Sequence, residues 1–230
     1  MKNLILFDID GTLLRCGRVS MQCLAAAFEK VTGHTFPESV SAAGKTDPLI
    51  VREAFRAVSV SKRDWVELEQ AILRKYPRYL ERRRADLEQA SVLLDGVTEL
   101  LDFLAYRKFP LALLTGNLEV TARQKLEVFQ LNSFFPVGGF GSDSADRNRL
   151  ARIAFERANR HYGVRFEPRR CWVVGDTPRD MEAAKALGAR SLGVATGPYA
   201  VPVLKEFFHD APATDLRSLG DIVKVLSSAP

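Results

Sequence analysis

Short apolar runs that end in small and polar residues recur along the 230-residue chain. A run that is apolar throughout is typical of a strand buried on both faces, as in a parallel sheet. The runs predicted to be strands occupy residues 4–7, 109–114, 171–174 and 191–195. Between them, apolar residues recur at helical spacing in segments 97–107, 118–129, 150–161 and 178–187. Strands that alternate with helices predict an α/β fold, with a parallel sheet and helices on both of its faces.

The alternation is interrupted between about residues 16 and 90. Helical patterns occupy three segments there, and no convincing strand separates them. The three segments are 20–32, 46–58 and 63–88. The stretch at 94–97 indicates the return into the core. The sequence therefore predicts an all-helical domain at 16–90, inserted into a core domain that is formed by residues 1–15 and 91–230.

Composition and charge narrow the class of protein only modestly. Hydrophobic residues make up 47% of the chain and charged residues 27%, which is ordinary for a globular protein. Lysine and arginine exceed the acidic residues by 33 to 28, a mild excess that suits an anionic substrate without requiring one. The basic run at 78–84 has acidic residues in and after it, which favours a solvated helix face over a nucleic-acid site.

The apolar run at 4–7 is too short for a signal peptide or a membrane span. We therefore expect a cytoplasmic protein with neither nucleic acid nor a membrane as its partner. The sequence gives no indication of the oligomeric state.

Two aspartates, Asp8 and Asp10, directly follow the first predicted strand. Because side chains alternate along a strand, both carboxylates can point to one side. One could attack a phosphorus atom while the other gives and takes a proton. A simple Asp-Gly turn would account for Gly11 but not for Asp8, whose burial after four apolar residues is costly without a partner.

Polar residues also follow two other predicted strands. Thr115, Gly116 and Asn117 offer a hydroxyl and backbone N–H groups just before a helix, which suits either an anion site or a simple helix N-cap. Asp176 ends another strand, and with Asp8 it provides the oxygen ligands that magnesium prefers. Asp180 falls in the first turn of the next helix, where a negative charge is favourable in any case.

Three stretches carry a family resemblance: DIDGTLL at 8–14, LLTGN at 113–117 and VVGDTPRDMEAAKALG at 173–188. They resemble motifs one, two and four of the haloacid dehalogenase-like (HAD) hydrolase superfamily, in the same order. The helical insertion resembles the small C1-type cap of the phosphoglycolate-phosphatase-like branch. The resemblance covers the whole chain and implies a Rossmann-like core.

The resemblance implies a role for each motif residue. Asp8 would be the nucleophile and Asp10 the general acid and base. Mg²⁺ would be held by Asp8, the backbone carbonyl of Asp10, and Asp176. Thr115 would bind the transferring phosphoryl group, Gly116 and Asn117 would bind the substrate, and Asp180 with Gly175 would support the metal site.

The third family motif is a lysine that offsets charge on the nucleophile and phosphate, and here the sequence departs from the pattern. Residues 146–149 read Asp-Arg-Asn-Arg where many relatives have this lysine. Lys125, in the helix after Thr115, is the first candidate, and a solvated helix lysine is the alternative. Arg147 is the reserve. We predict that the Lys125 ammonium lies within hydrogen-bonding distance of Asp8 or of a bound phosphate.

The predicted cap contains a Gly-Lys-Thr-Asp loop at 44–47. A nucleotide-binding P-loop would need a glycine at position 39, which is Ser39, and a preceding strand, so we exclude it. The loop is similar to a Gly-x-Thr-Asp loop that faces the active site in the phosphoglycolate-phosphatase-like branch. Lys45 is therefore predicted to contact the substrate, while Thr46 is suited to be a helix N-cap.

Together these features predict a magnesium-dependent phosphatase that hydrolyses a small phosphorylated metabolite through an aspartyl-phosphate on Asp8. Phosphoglycolate is the substrate that the branch implies. Asp10 argues against a dehalogenase or a phosphonatase, since both of those branches lack the second aspartate. Two alternatives stay open: a sugar-phosphate mutase that uses the same site, and a catalytically silent binding module.

Overall fold

The structure, a computed structural model, describes residues 2–207 and 211–228. In these ranges the strands, in chain order, are β1 (Leu4–Phe7), β2 (Leu14–Arg15), β3 (Val92–Leu93), β4 (Leu111–Leu114), β5 (Gly138–Gly139), β6 (Cys171–Gly175), β7 (Arg190–Val194) and β8 (Ala211–Thr214). Six of these strands form one sheet in the order β5-β4-β1-β6-β7-β8, and every neighbouring pair in it is parallel. The other two, β2 and β3, form a small antiparallel pair.

The helices of the same ranges are α1 (Val19–Thr32), α2 (Asp47–Ala57), α3 (Trp65–Arg82), α4 (Arg84–Ala90), α5 (Val97–Tyr106), α6 (Glu119–Glu127), α7 (Arg147–Tyr162), α8 (Pro178–Leu187), α9 (Val201–Phe207) and α10 (Leu219–Ser227). Most predicted elements differ from the structure by a residue or two at an end, and the helix expected at 150–161 begins three residues earlier, at Arg147. The single helix expected at 63–88 is two helices, because the backbone leaves helical geometry at Arg83. The strand expected at 109–114 begins at Leu111, two residues later. None of the described helices is both long and apolar enough to cross a membrane.

The central strand β1 contributes to two cores on opposite faces of the sheet, as alternating side chains require. Leu4 and Leu6 belong to a core shared with α7 and α8. Ile5 and Phe7 belong to a larger core shared with α5 and α10. All four side chains are buried, so the fully apolar run reflects a strand that is covered on both faces. The predicted α/β fold is confirmed.

Helices α1–α4 form an all-helical segment in which α1 and α3 pack against each other. Buried aromatic residues, including Phe28, Phe55 and Tyr76, fill its interior. The loop before α2 reaches the carboxyl ends of the sheet strands. There the Asp47 N–H donates to the Gly116 carbonyl at 2.8 Å, and the Thr46 hydroxyl donates to the Ala145 carbonyl at 2.9 Å. The helical segment therefore lies over the edge of the sheet where the predicted site residues meet.

Candidate active site

A cavity of about 580 Å³ lies between the strand ends and the helical segment. Its walls include most of the residues predicted for the site, namely Asp8, Asp10, Lys45, Thr115, Gly116, Asn117, Lys125, Arg147 and Asp176. Ligands bind beyond the carboxyl ends of the strands in open α/β sheets, so the cavity is in the expected place. The structure thus brings residues from five separate parts of the sequence to one site.

Asp8 lies directly after β1, and its carboxylate is buried. The backbone N–H of Asp8 donates to the Val174 carbonyl at 3.0 Å, which continues the pairing between β1 and β6. Burial raises the pKa of the Asp8 carboxyl to about 6, although the nearby Arg147 guanidinium acts in the opposite direction. Asp8 is therefore a fixed carboxylate in a poorly solvated position at the base of the cavity.

Asp8, Asp176 and Asp180 form a cluster of buried carboxylates. One oxygen atom from each lies within 4.8 Å of the others. Asp176 accepts a hydrogen bond from the Thr12 hydroxyl at 3.1 Å. Asp180 accepts two from Thr177, through its N–H at 3.0 Å and its hydroxyl at 2.8 Å. Burial, together with the charges of Asp180 and Asp8, raises the pKa of Asp176 to about 8.

This donor set fits a hard metal cation. Its ligand atoms are carboxylate oxygens, which Mg²⁺ and Ca²⁺ prefer. Burial disfavours the charged form of a carboxylate and raises the pKa of Asp8 and of Asp176, although the Arg147 guanidinium acts in the opposite direction on both. The cluster could therefore hold a metal ion that replaces the missing positive charge.

Arg147 starts α7 and lies beside this cluster with its side chain buried. Its Nη2 atom is 3.0 Å from Asp8 Oδ1 and 2.5 Å from Asp180 Oδ1. It also donates to the Leu114 carbonyl at 3.2 Å. Burial alone would lower the pKa of Arg147, but the two carboxylates outweigh it and raise the pKa. Arg147, the second candidate for the third family motif, is therefore a residue that contacts Asp8.

The Lys125 ammonium, predicted to lie near Asp8 or a bound phosphate, contacts Asp10 rather than Asp8. Lys125 Nζ donates to both carboxylate oxygens of Asp10, at 2.9 and 2.8 Å, and to Asn117 Oδ1 at 2.6 Å. These three acceptors match the three N–H donors of an ammonium group. The physical reason for the difference is that Asp10 and Asn117 use all three donors of the ammonium, while Asp8 is paired with Arg147. Lys125 is also buried, which excludes a solvated helix lysine.

The side chain of Asn117, predicted to bind substrate, is occupied within the protein. Its Nδ2 group donates to Asp10 Oδ2 at 2.7 Å and to the Thr115 hydroxyl at 2.8 Å, which uses both N–H donors. Its Oδ1 atom accepts from Lys125. The hydroxyl of Thr115 accepts from Asn117, so its own hydrogen is still available for a ligand. In this arrangement Asn117 links Thr115, Asp10 and Lys125.

The loop at 44–47 packs tightly on the strand-end loop of Thr115 and Gly116. A Cβ atom on Gly116 would lie 2.1 Å from the Lys45 carbonyl oxygen, so only glycine fits there. Asp47 Oδ2 accepts from the Leu118 N–H at 2.9 Å, and burial raises the pKa of Asp47 to about 6. The Lys45 ammonium lines the cavity but is paired with Glu53.

Three residues around the candidate site were given no role from the sequence. Thr12 bonds Asp176, Asp47 fixes the loop over the cavity, and Gly197 packs so closely that a Cβ atom would lie 1.6 Å from Asp176 Oδ2. Thr12 and Asp47 occur within stretches already singled out. Gly197 follows a predicted strand, as the other site residues do, and that shared position was the available signal.

The fold is an α/β fold, and its candidate site is a cluster of buried carboxylates at strand ends. The sequence model of the haloacid dehalogenase-like hydrolases matches residues 2–188 of the chain. The chain belongs to this family, and the prediction that it is an enzyme of this kind is confirmed.

Known proteins resemble the chain along most of its length. It is 27% identical to a phosphoglycolate phosphatase from Agrobacterium fabrum over 94% of this chain and 90% of that protein. It is 30% identical to a phosphoglycolate phosphatase from Xylella fastidiosa, over 82% and 78% of the two chains. The crystal structure of a predicted phosphatase from Clostridium acetobutylicum superposes with a TM-score of 0.72 at 21% identity, covering 97% of this chain and 98% of the other, which shows the shared fold.

Proposed function

We propose that the protein is a magnesium-dependent phosphatase that hydrolyses a small phosphate monoester through an aspartyl-phosphate on Asp8. The observation that carries the proposal is the position of Asp8, buried at the end of the central strand, in contact with Arg147 and beside Asp176 and Asp180. The two phosphoglycolate phosphatases described above support it.

In the proposed reaction, the Asp8 carboxylate attacks the phosphorus atom, and the bond from phosphorus to the substrate's ester oxygen breaks. Asp10 gives its proton to that leaving oxygen. It then takes a proton from the water that cleaves the aspartyl-phosphate, so one residue serves both steps. The Thr115 hydroxyl and the Gly116 N–H would bind phosphoryl oxygens. Arg147 would offset negative charge beside Asp8, in the role that a lysine has in many relatives.

The metal ion would be held by Asp8, the Asp10 carbonyl and Asp176, with Asp180 and the close-packed Gly175 in support. A Cβ atom on Gly175 would lie 2.2 Å from Asp180 Cγ, so this glycine lets Asp180 approach the cluster. Bound Mg²⁺ would neutralise charge on the phosphoryl oxygens and align them with the nucleophile. Such positioning and charge neutralisation supply most of the acceleration in phosphoryl transfer.

We also propose that residues 16–90 act as a cap over a catalytic core formed by 1–15 and 91–230. The contacts of the 44–47 loop with the strand ends support this division. Phosphoglycolate is the first substrate to test, because two relatives carry that name. Its carboxylate would suit Lys45, which would exchange Glu53 for the substrate.

The first test is turnover with and without metal. Purified protein is assayed on p-nitrophenyl phosphate and on a panel of small phosphorylated metabolites that includes phosphoglycolate. Release of inorganic phosphate is expected with Mg²⁺ and is expected to stop in excess chelator. Equal rates in both conditions would contradict the metal's role. An isomeric sugar phosphate without released phosphate would indicate a mutase, and no reaction with any ester would favour a binding module.

The second test concerns the contact between the cap loop and the strand ends. Gly116→Ala is expected to lower kcat/KM on the order of 100-fold, because a shift of about 1 Å in a catalytic loop has effects of that size. The added Cβ atom would lie 2.1 Å from the Lys45 carbonyl oxygen and would push the two loops apart. Gly220→Ala is the matched control, since no described atom beyond its chain neighbours and its own helix backbone lies within 4 Å of its Cβ position. Equal kcat/KM in the two variants would show that this contact is not needed.

A further inference from the structure

Lys125 and Asp10 form a pair in which one partner is fixed and the other faces the cavity. The Lys125 side chain is 4% exposed, whereas that of Asp10 is 43% exposed. Both oxygens of Asp10 are bonded to the ammonium, and Oδ2 is also bonded to Asn117. Asn117 in turn bonds Lys125 and Thr115. The half-exposed carboxyl group of Asp10 is therefore held from behind by two side chains that are buried.

We propose that Lys125 is a positioning residue for Asp10, which it holds towards the leaving-group oxygen of the substrate. This inference rests on the proposed function, because it needs Asp10 to transfer the proton. A carboxyl group with this exposure would otherwise exchange between rotamers, and a proton-transfer group must be held within hydrogen-bonding reach of its target.

The site then contains two buried cations with separate tasks. Arg147 contacts Asp8 and Asp180, where the phosphoryl group and the metal ion are proposed to bind. Lys125 contacts Asp10 and Asn117 instead, and its three donors are already matched there. Lys125 therefore acts through Asp10 and not on the phosphoryl group itself. This differs from the role of the family's third-motif lysine, which lies beside the nucleophile.

The leaving group gives a test that a purely structural role would not pass. As the bond between phosphorus and oxygen breaks, an alkoxide needs the proton of Asp10, whereas p-nitrophenolate leaves readily without it. Lys125→Met removes the ammonium and keeps a side chain of similar length. We expect kcat/KM to fall roughly 100-fold or more for an alkyl phosphate, the scale of general acid catalysis, and to fall far less for p-nitrophenyl phosphate. The value of kcat/KM reports only the steps up to release of the alcohol. The later step, in which Asp10 acts as a base, therefore does not affect kcat/KM.

A double-variant cycle shows through which residue Lys125 acts. If Lys125 works through Asp10, Lys125→Met should add little to the defect of Asp10→Asn, because coupled residues are not additive. Lys185→Met is the control, since Lys185 is exposed on α8, away from the cavity. If Lys125→Met does not fold, Asn117→Ala takes its place, because it removes bonds to both Lys125 and Asp10.

The possible outcomes separate this inference from the proposed function. Equal losses for both substrates, together with additive effects in the double variant, would overturn the inference and indicate a direct contact with the phosphoryl group. Unchanged kcat/KM for the alkyl phosphate would overturn it as well. Wild-type protein that hydrolyses neither substrate would instead overturn the proposed function, and the inference with it.

Discussion

Asp8→Asn is expected to abolish turnover, with kcat lowered at least about 10⁴-fold, as when other enzymes lose their nucleophile. An amide has nearly the same shape as a carboxylate, but it is a poor nucleophile and a weaker metal ligand. The fold should persist, because the bond from the Asp8 N–H to Val174 belongs to the backbone. Arg147 would also retain Asp180 as a partner.

The measurement is steady-state turnover beside the far-ultraviolet circular dichroism of each protein. Asp102→Asn is the matched control, because this substitution makes the same chemical change at an exposed position of α5. Asp10→Asn should also impair turnover strongly, since proton transfer would be lost. A crystal structure with beryllium fluoride should show the adduct on Asp8. An active Asp8→Asn enzyme, or an adduct on another residue, would remove Asp8 from the proposed role.

Elements with strong local signals were predictable to the residue. The strand at 4–7 and the helix at 178–187 have the expected bounds. The strand is an unbroken apolar run that stops at a charged residue. The helix has proline in its first turn and Gly188 in the left-handed conformation at its end, which are the signals for a helix start and stop. Both kinds of signal depend on nearby residues only.

Elements that depend on distant contacts were missed. Strand β5 is only Gly138 and Gly139, with no apolar run to indicate it. A Cβ atom on Gly139 would lie 2.3 Å from the Leu150 carbonyl oxygen, so the close approach of α7 explains this glycine, whereas a Cβ atom on Gly138 would lie 2.8 Å from Leu113 Cβ. The sequence does not show that α7 passes there. The pair β2 and β3 is missed for a similar reason, because two-residue strands carry too little pattern.

Among the residues around the cavity, too, some positions could be predicted from local signals and others depend on distant contacts. Asp8, Asp10 and Asp176 could be placed together from the sequence, because the ends of parallel strands share one edge of a sheet. The partners of Lys125 and Arg147 could not, because each cation had several acidic residues within possible reach. Arg147 lies where many relatives have the third-motif lysine, whereas Lys125 is the candidate that is itself a lysine. Only the three-dimensional arrangement shows that the guanidinium spans Asp8 and Asp180.

Arg147→Ala is expected to lower both activity and stability. Removing one partner of a buried ion pair costs about 3–5 kcal/mol, because the other charge is left uncompensated. For a chain of this size, that loss corresponds to a fall in Tm on the order of 10 °C. Here two carboxylates, Asp8 and Asp180, would lose the same guanidinium. Activity should fall steeply, since charge beside the nucleophile would no longer be offset.

Thermal unfolding with and without Mg²⁺ distinguishes a charge effect from a packing effect. A cation bound to the carboxylate cluster would replace part of the charge that Arg147→Ala removes. Mg²⁺ should therefore raise the Tm of this variant more than it raises that of the wild type, as expected when a ligand binds the native state more tightly. A variant that loses stability only through packing would respond to Mg²⁺ as the wild type does. Arg152→Ala is the control, because Arg152 is exposed on the same helix.

Arg147→Lys tests why this chain has arginine where many relatives have lysine. A lysine keeps the positive charge, but as a compact point charge it lacks the planar fork of donors that a guanidinium presents. In this structure the guanidinium contacts Asp8, Asp180 and the Leu114 carbonyl together. We expect kcat between those of Arg147→Ala and the wild type, with a Tm closer to the wild type. If Arg147→Ala keeps near-normal kcat and Tm while Lys125→Met is inactive on every ester, Lys125 is the third-motif residue after all.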